Sequence, residues 1–149
     1  MAYATDELIG QDCDGAPEKI DVEKLLEVCM HPFEESIWCG VEGILYRQEI
    51  HERMKTIPDD YNVMIDWRLI ESRFDHVSRI AWFAKHGWND PVDIDFGCPT
   101  FSGVSYALDD GHHRLAAAII RKDAWIYAVA SGEVDYIETF LYCEDSVIV

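Results

Sequence analysis

The run from Tyr106 to Ala118, YALDDGHHRLAAA, crowds more groups able to do chemistry into fewer positions than any other stretch of the chain. A strand ending near Asp109 and Asp110 turns at Gly111 straight into a helix that opens with His112, His113 and Arg114. The first amides of a helix have no intrahelical partner and lie at the positive end of its macrodipole, so such a turn suits an anion, and a phosphate above all. Gly111 permits a tight turn and a close backbone approach, and Arg114, expected to be exposed at the helix start, adds a bidentate cation. Asp109 and Asp110 stand where a carboxylate holds Mg²⁺ beside a phosphate or bonds a ribose hydroxyl. Asp110, Gly111, His112, His113 and Arg114 are therefore the candidate binding residues, with Asp109 and Asp110 as candidate metal ligands. The plainer use of the same residues is a pair of histidines solvating a turn and an arginine paired with Asp109 or Asp110. One ion held by Asp109, Asp110, His112 and His113 together is disfavoured, because adjacent residues rarely all face one ion. His31, Glu34 and Glu35, with Cys29 and Cys39 around them, fit no closed zinc spacing and read as a helix junction.

The elements that must position this turn follow from hydrophobic period. Residues 1–20 read as an arm, with Gly10, Asp12, Asp14, Gly15 and Pro17 clustered in it. Asp21 is placed to cap a helix with Val22, Leu25, Leu26 and Cys29 on its apolar side, ended by Pro32. From Glu34 to Lys55, Ile37, Trp38, Val41, Ile44, Leu45 and Ile50 recur at helical spacing in spite of Gly40 and Gly43. The clearest helix runs from Trp67 to His86, with Trp67, Ile70, Phe74, Val77, Ile80 and Ala84 on one stripe and Gly87 as its stop. Arg68, Glu71, Arg73, Asp75 and Arg79 then form its solvated face. After Gly87 the period becomes two: Pro91 to Phe96 and Gly103 to Leu108 read as strands, followed by the helix from Gly111 and a strand from Ala124 to Ala130. Val134 to Tyr142 fits strand or helix equally. Helices followed by β, β, α, β give an α+β domain with a small mixed sheet and flanking helices.

Charge and composition narrow the partners. The 149 residues are 49% apolar, enough for one compact domain with a sizeable core. Twelve Lys and Arg against 29 Asp and Glu leave a formal charge of -17, so a broad grip on duplex DNA is disfavoured. The first fifty residues hold 12 acidic and 3 basic side chains, which suits a basic partner. No apolar run approaches the roughly 20 residues that span a bilayer, and no basic, then apolar, leader opens the chain, so a cytoplasmic protein without membrane contact is expected. Five cysteines without a C-x-x-C pair read as reduced, mostly buried thiols.

Asp110-Gly-His-His-Arg-Leu-Ala-Ala117, preceded by a helix, Gly87, the strand from Pro91 to Ile94 and the strand from Val104 to Leu108, resembles the ParB/sulfiredoxin superfamily, including ParB-like nuclease domains of phage and plasmid type. The resemblance covers residues 66–131. It implies a nucleotide-binding core over residues 66–149 and an acidic helical region over 1–65 packed on it. In that family the equivalent turn holds nucleotide phosphates: CTP in partition proteins, ATP in sulfiredoxin, ADP or ATP in a related free-serine kinase. Carried over, this implicates Gly111, His112, His113 and Arg114 in binding an NTP or NDP, ATP or CTP first, with Mg²⁺. His113 would orient or protonate a phosphate oxygen, and Glu71 is a candidate base or metal carboxylate, because family members can bring an acidic residue to the nucleotide from the region before the turn. The position where sulfiredoxin carries its reactive cysteine is His112 here, so sulfinic acid reduction is not implied. NTPase or phosphotransfer activity is one expectation. The alternatives are a non-enzymatic phage or plasmid interaction protein, acting as a DNA mimic or as an inhibitor of a host or defence protein, basic or nucleic-acid-binding, and, less favoured, a metal-dependent nuclease.

Overall fold

A computed structural model describes residues 16–63, 70–95, 108–132 and 137–143. In chain order the elements are β1 (Glu18–Asp21), α1 (Val22–Leu25), α2 (Arg47–Met54), α3 (Arg73–His86), β2 (Val92–Asp95), β3 (Leu108–Asp110), α4 (His112–Arg121) and β4 (Trp125–Ser131). The class is α+β with a small mixed sheet. By contacts the chain builds two compact units: one holds residues 1–29, 90–111 and 124–149, the other 30–89 and 112–123.

The first unit is the sheet, in the order β1-β4-β2-β3. β4 pairs antiparallel with β1 and parallel with β2, and β2 pairs antiparallel with β3 across a register shift at Asp93 and Ile94. Period-two residues supply its buried side: Ile20 lies opposite Ile126, Val92 opposite Ala128, and all four are essentially inaccessible, as is Ile94. Residues 18–21, expected to belong to a loose arm, are therefore a strand, because Ile20 has a buried position to fill beside β4. Residues 1–15 lie outside the described residues. Asp21 does cap a helix, its Oδ1 accepting from the Lys24 amide at 3.0 Å, but α1 is a single turn and stops well short of Cys29. Of the segment that fitted strand or helix, residues 134–136 lie outside the described residues and residues 140–142 line the outer side of β1. There the Asp21 amide donates to the Phe140 carbonyl at 2.8 Å and the Tyr142 amide to the Lys19 carbonyl at 2.9 Å.

The second unit is helical. Phe33, Trp38, Leu45, Ile50, Ile57, Val77, Ile80, Ala81, Ala84, Ala116, Ala117 and Ile120 share one core, and alanines on both α3 and α4 let those helices pack closely. The helix expected over 34–55 is only its last third. Gly40 (φ +79°) and Gly43 (φ +86°) adopt left-handed backbone, so residues 31–46 wind in turns, and α2 starts where the Glu49 carboxylate accepts from the Tyr46 amide at 2.9 Å. α3 begins at Arg73, capped by Ser72 Oγ, which accepts from the Asp75 amide at 3.1 Å; residues 67–69 lie outside the described residues. Phe74 is 60% exposed rather than core, since it sits in the first turn of α3, with the Arg53 guanidinium 4.5 Å from its ring centre. Arg73, expected on a solvated face, makes a bidentate pair with Glu49, at 2.7 Å from Nε and 2.6 Å from Nη2, and Nη2 also donates to the Ile44 carbonyl.

The strand-to-helix junction falls at Gly111 as expected, with φ +113°, and α4 follows at once. β3 is displaced from its expected span to Leu108–Asp110; residues 103–107 lie outside the described residues. Among the described cysteines Cys29 is buried but Cys39 and Cys143 are exposed, because 39 lies in the turns and 143 follows the last bridge, where no core covers them. No helix among the described residues is long and apolar enough to cross a membrane.

Gly40 gives a direct test of this packing. A Cβ there would fall 1.8 Å from the Glu71 carbonyl oxygen, whereas one at Gly43 meets nothing within 4 Å. Both positions are left-handed, so Gly43→Ala is expected to cost about 1 kcal/mol from backbone conformation alone and Gly40→Ala about 3 kcal/mol or more, because two backbone segments must part. Urea unfolding of the two variants measures the difference.

Candidate functional site

Two histidines 37 residues apart meet in the helical unit. His76, on the second turn of α3, is buried, and its Nδ1 lies 2.9 Å from Nε2 of His113 at the start of α4. On its other side His76 Nε2 donates to the Cys39 carbonyl at 2.8 Å. The two imidazole planes differ by only 13° with centroids 5.2 Å apart, as two rings joined edge to edge by a hydrogen bond require. Trp38 packs against both, its ring centre 5.2 Å from that of His76 and 4.8 Å from that of His113. Trp38 is itself buried, and its Nε1 donates to the Pro32 carbonyl at 3.0 Å.

The sequence folds this way locally because Gly40 lets the 38–40 turn lie on the backbone of Glu71 at the head of α3. That approach sets the Cys39 carbonyl in reach of His76, one turn along the helix. His113 comes from the other direction, as the second residue of α4. The helix start expected from the Gly111 turn is therefore paired with a residue that the sequence reading passed over. The signal for His76 was present: it neighbours Val77, between the apolar stripe and the polar face, where a polar ring must find a partner.

The electrostatics around His113 are positive. Burial, foremost, and the charges of Arg79, His76, His112 and Arg114 hold its imidazole well below the ordinary histidine range. Burial likewise lowers His76, against hydrogen bonding to the Cys39 carbonyl that acts to raise it. Both rings are accordingly neutral at pH 7. A neutral imidazole keeps one N–H, and the Nε2 of His113 faces Nδ1 of His76.

The remaining candidates fall out as follows. Arg114 is 8% exposed, not an open helix-start side chain, because it lies on the inward side of α4 next to Leu115. His112 is partly buried. Asp109 and Asp110 belong to β3 by backbone, and their side chains lie outside the described residues. Glu71 is exposed one residue before the cap of α3, and its carbonyl, not its carboxylate, meets the Gly40 turn. His31 Nε2 lies 3.8 Å from Glu34, and the Glu35 carboxylate accepts from the His31 amide at 3.1 Å, so the cluster expected at a helix junction is a hydrogen-bonded turn with no helix on either side. Among the described residues no group of three His, Cys, Asp or Glu side chains is placed to hold a metal ion. No family model, curated protein or solved structure matches the chain.

The lowered histidines make stability depend on pH. His31, His76 and His113 all bind protons less readily folded than unfolded, so acid favours the unfolded chain. Their contribution is complete above about pH 6.5 and is lost as pH falls from there towards the folded values, by up to about 1.4 kcal/mol per pH unit for each ring. Urea unfolding at pH 7, 6 and 5.5 is expected to show a falling midpoint. A midpoint constant across that interval would mean that these rings do not resist protonation in the folded chain.

Proposed function

We propose that the start of α4 is the phosphate-binding end of a nucleotide site, in the manner of the ParB/sulfiredoxin proteins that the Gly111 turn resembles. The observation that carries the reading is the start of a ten-residue helix at which His113, partly buried, has Arg79 and Arg114 close enough to act on it. Two arginines near one helix start suit an anion of compact charge. His112 and Arg114 would contact phosphate oxygens together with the first helix amides, Gly111 would admit a close approach, and His113 would stand beside the phosphate. Mg²⁺ would fall to Asp109 and Asp110. Bound Mg²⁺ would neutralise phosphate charge; the chain's own part is to position the phosphate and balance what charge remains. His113, being neutral, would act as a hydrogen-bonding group or a base.

Calorimetry with ATP, ADP, GTP and CTP in the presence of Mg²⁺ tests this. A ligand at a hundred times its Kd is expected to stabilise the fold by about 2.7 kcal/mol. Arg79, partly exposed, is the cleaner site for a variant than buried Arg114. Arg79→Ala is expected to weaken binding by about 1.5–3 kcal/mol, roughly ten- to a hundredfold, with the apo fold retained. No binding of any of the four nucleotides by the unaltered protein would reject the site.

A second reading rests on a different observation. Glu34, Glu35, Glu42, Glu52, Asp59 and Asp60, all within residues 30–63, are exposed, which suits docking of a basic protein by a non-enzymatic inhibitor or DNA mimic. Association of that kind is expected to weaken steeply between low and high salt and upon Glu34→Lys with Glu35→Lys.

A further inference from the structure

A backbone carbonyl accepts hydrogen bonds and never donates, so the 2.8 Å contact with the Cys39 oxygen requires a hydrogen on Nε2 of His76. A neutral imidazole carries one N–H. Nδ1 of His76 is then a lone pair, and its 2.9 Å contact with Nε2 of His113 closes only if His113 supplies the hydrogen. That uses the single N–H of His113 and leaves Nδ1, on the other side of the ring, as a lone pair. Two other arrangements satisfy both distances, an imidazolium at His113, whose ring already has Arg79 and Arg114 near it, and an imidazolium at His76. The second is the costlier to bury. It would add a charge to a ring that is 4% exposed, packed against the Trp38 ring and close to Arg79. We propose that His76 is a positioning residue that locks His113 in its Nε2–H tautomer, so that what His113 offers at the start of α4 is a hydrogen-bond acceptor.

The consequence for a ligand rests on the nucleotide reading. A lone pair repels a bare phosphate oxygen, so the atom that meets Nδ1 must carry a hydrogen. It is a hydroxyl or a water molecule, while the anionic oxygens go to the amides and to Arg79 and Arg114. The histidine start of α4 thus divides a ligand into an anionic part and a hydroxyl part.

The tautomers are read directly from the full chain labelled with ¹⁵N-histidine, by long-range ¹H–¹⁵N correlation at pH 7. Both rings are expected to show a protonated Nε2 and a bare Nδ1. In His76→Gln the amide can donate to the Cys39 carbonyl and accept from His113, so the His113 tautomer is expected to persist. In His76→Leu it is expected to become a mixture. A hydrogen on Nδ1 of His113, an imidazolium at either ring, or an unchanged His113 signal in folded His76→Leu overturns the inference. Should His76→Leu not fold, the unaltered protein and His76→Gln decide the matter. Addition of ADP with Mg²⁺ separates the two claims. An upfield move of the His113 Nδ1 signal supports both, and conversion of His113 to imidazolium on binding overturns the inference alone. Failure of ADP and the other nucleotides to bind removes the nucleotide site and leaves the apo spectra as the deciding measurement.

Discussion

Residues 31–46 form no regular element longer than a turn, yet they bury Phe33, Trp38 and Leu45, and the contact that allows it is the seating of Gly40 on the Glu71 backbone. Any side chain at position 40 would hold the turn away from the head of α3. With it would go the Cys39 carbonyl, and His76 would keep a buried N–H with nothing to receive it, a cost of about 1–3 kcal/mol. Trp38 would lose its place against both imidazoles. The paired histidines, the indole over them and the apolar cluster beneath thus share one steric condition, which is met by the absence of a single carbon atom.

The helical unit also shows how a strongly acidic chain spends its few cations. Arg73 is tied to Glu49 and the Ile44 carbonyl, joining α2, α3 and the turn before α2 through one guanidinium. Arg53 donates to the buried Ser78 hydroxyl at 2.8 Å and covers Phe74. Arg121 lies over Trp88 and beside Asp123, at 3.4 Å. These arginines work as planar donors and covers for aromatic rings, roles that a lysine ammonium fills poorly.

What could be read in the sequence was whatever is local. The period change after Gly87, the turn at Gly111 and the alanine-rich helix behind it are encoded within a few residues of where they act, and they reappear in the fold. β4 was legible for the same reason: Trp125, Ile126, Tyr127 and Val129 make a strand in almost any setting. The misreadings are the reverse case. Apolar spacing over 34–55 cannot distinguish a helix from turns that bury the same residues, and only two positive-φ glycines decide it. β1 was lost in an arm because one Ile among charges becomes a strand only when β4, far along the chain, offers an edge. His113 stood out because its neighbours advertised a helix start, whereas His76 becomes meaningful only once α3 and α4 lie side by side.

The sheet and the helical unit are interleaved along the chain: strands come from residues 18–21, 92–95, 108–110 and 125–131, with the helical unit supplied by the stretches between. The ladder of Glu18 with Ala128 joins residues more than a hundred positions apart, so its closure entropy must be met by contacts formed beforehand. α2 and α3, by contrast, are neighbours in sequence and can associate early. During synthesis the first strand therefore emerges long before its partner. Until residues 125–131 leave the ribosome, β1 is an unpaired edge, and its flanking charges, Glu18, Lys19 and Asp21, are the kind that discourage pairing with another chain in the interval.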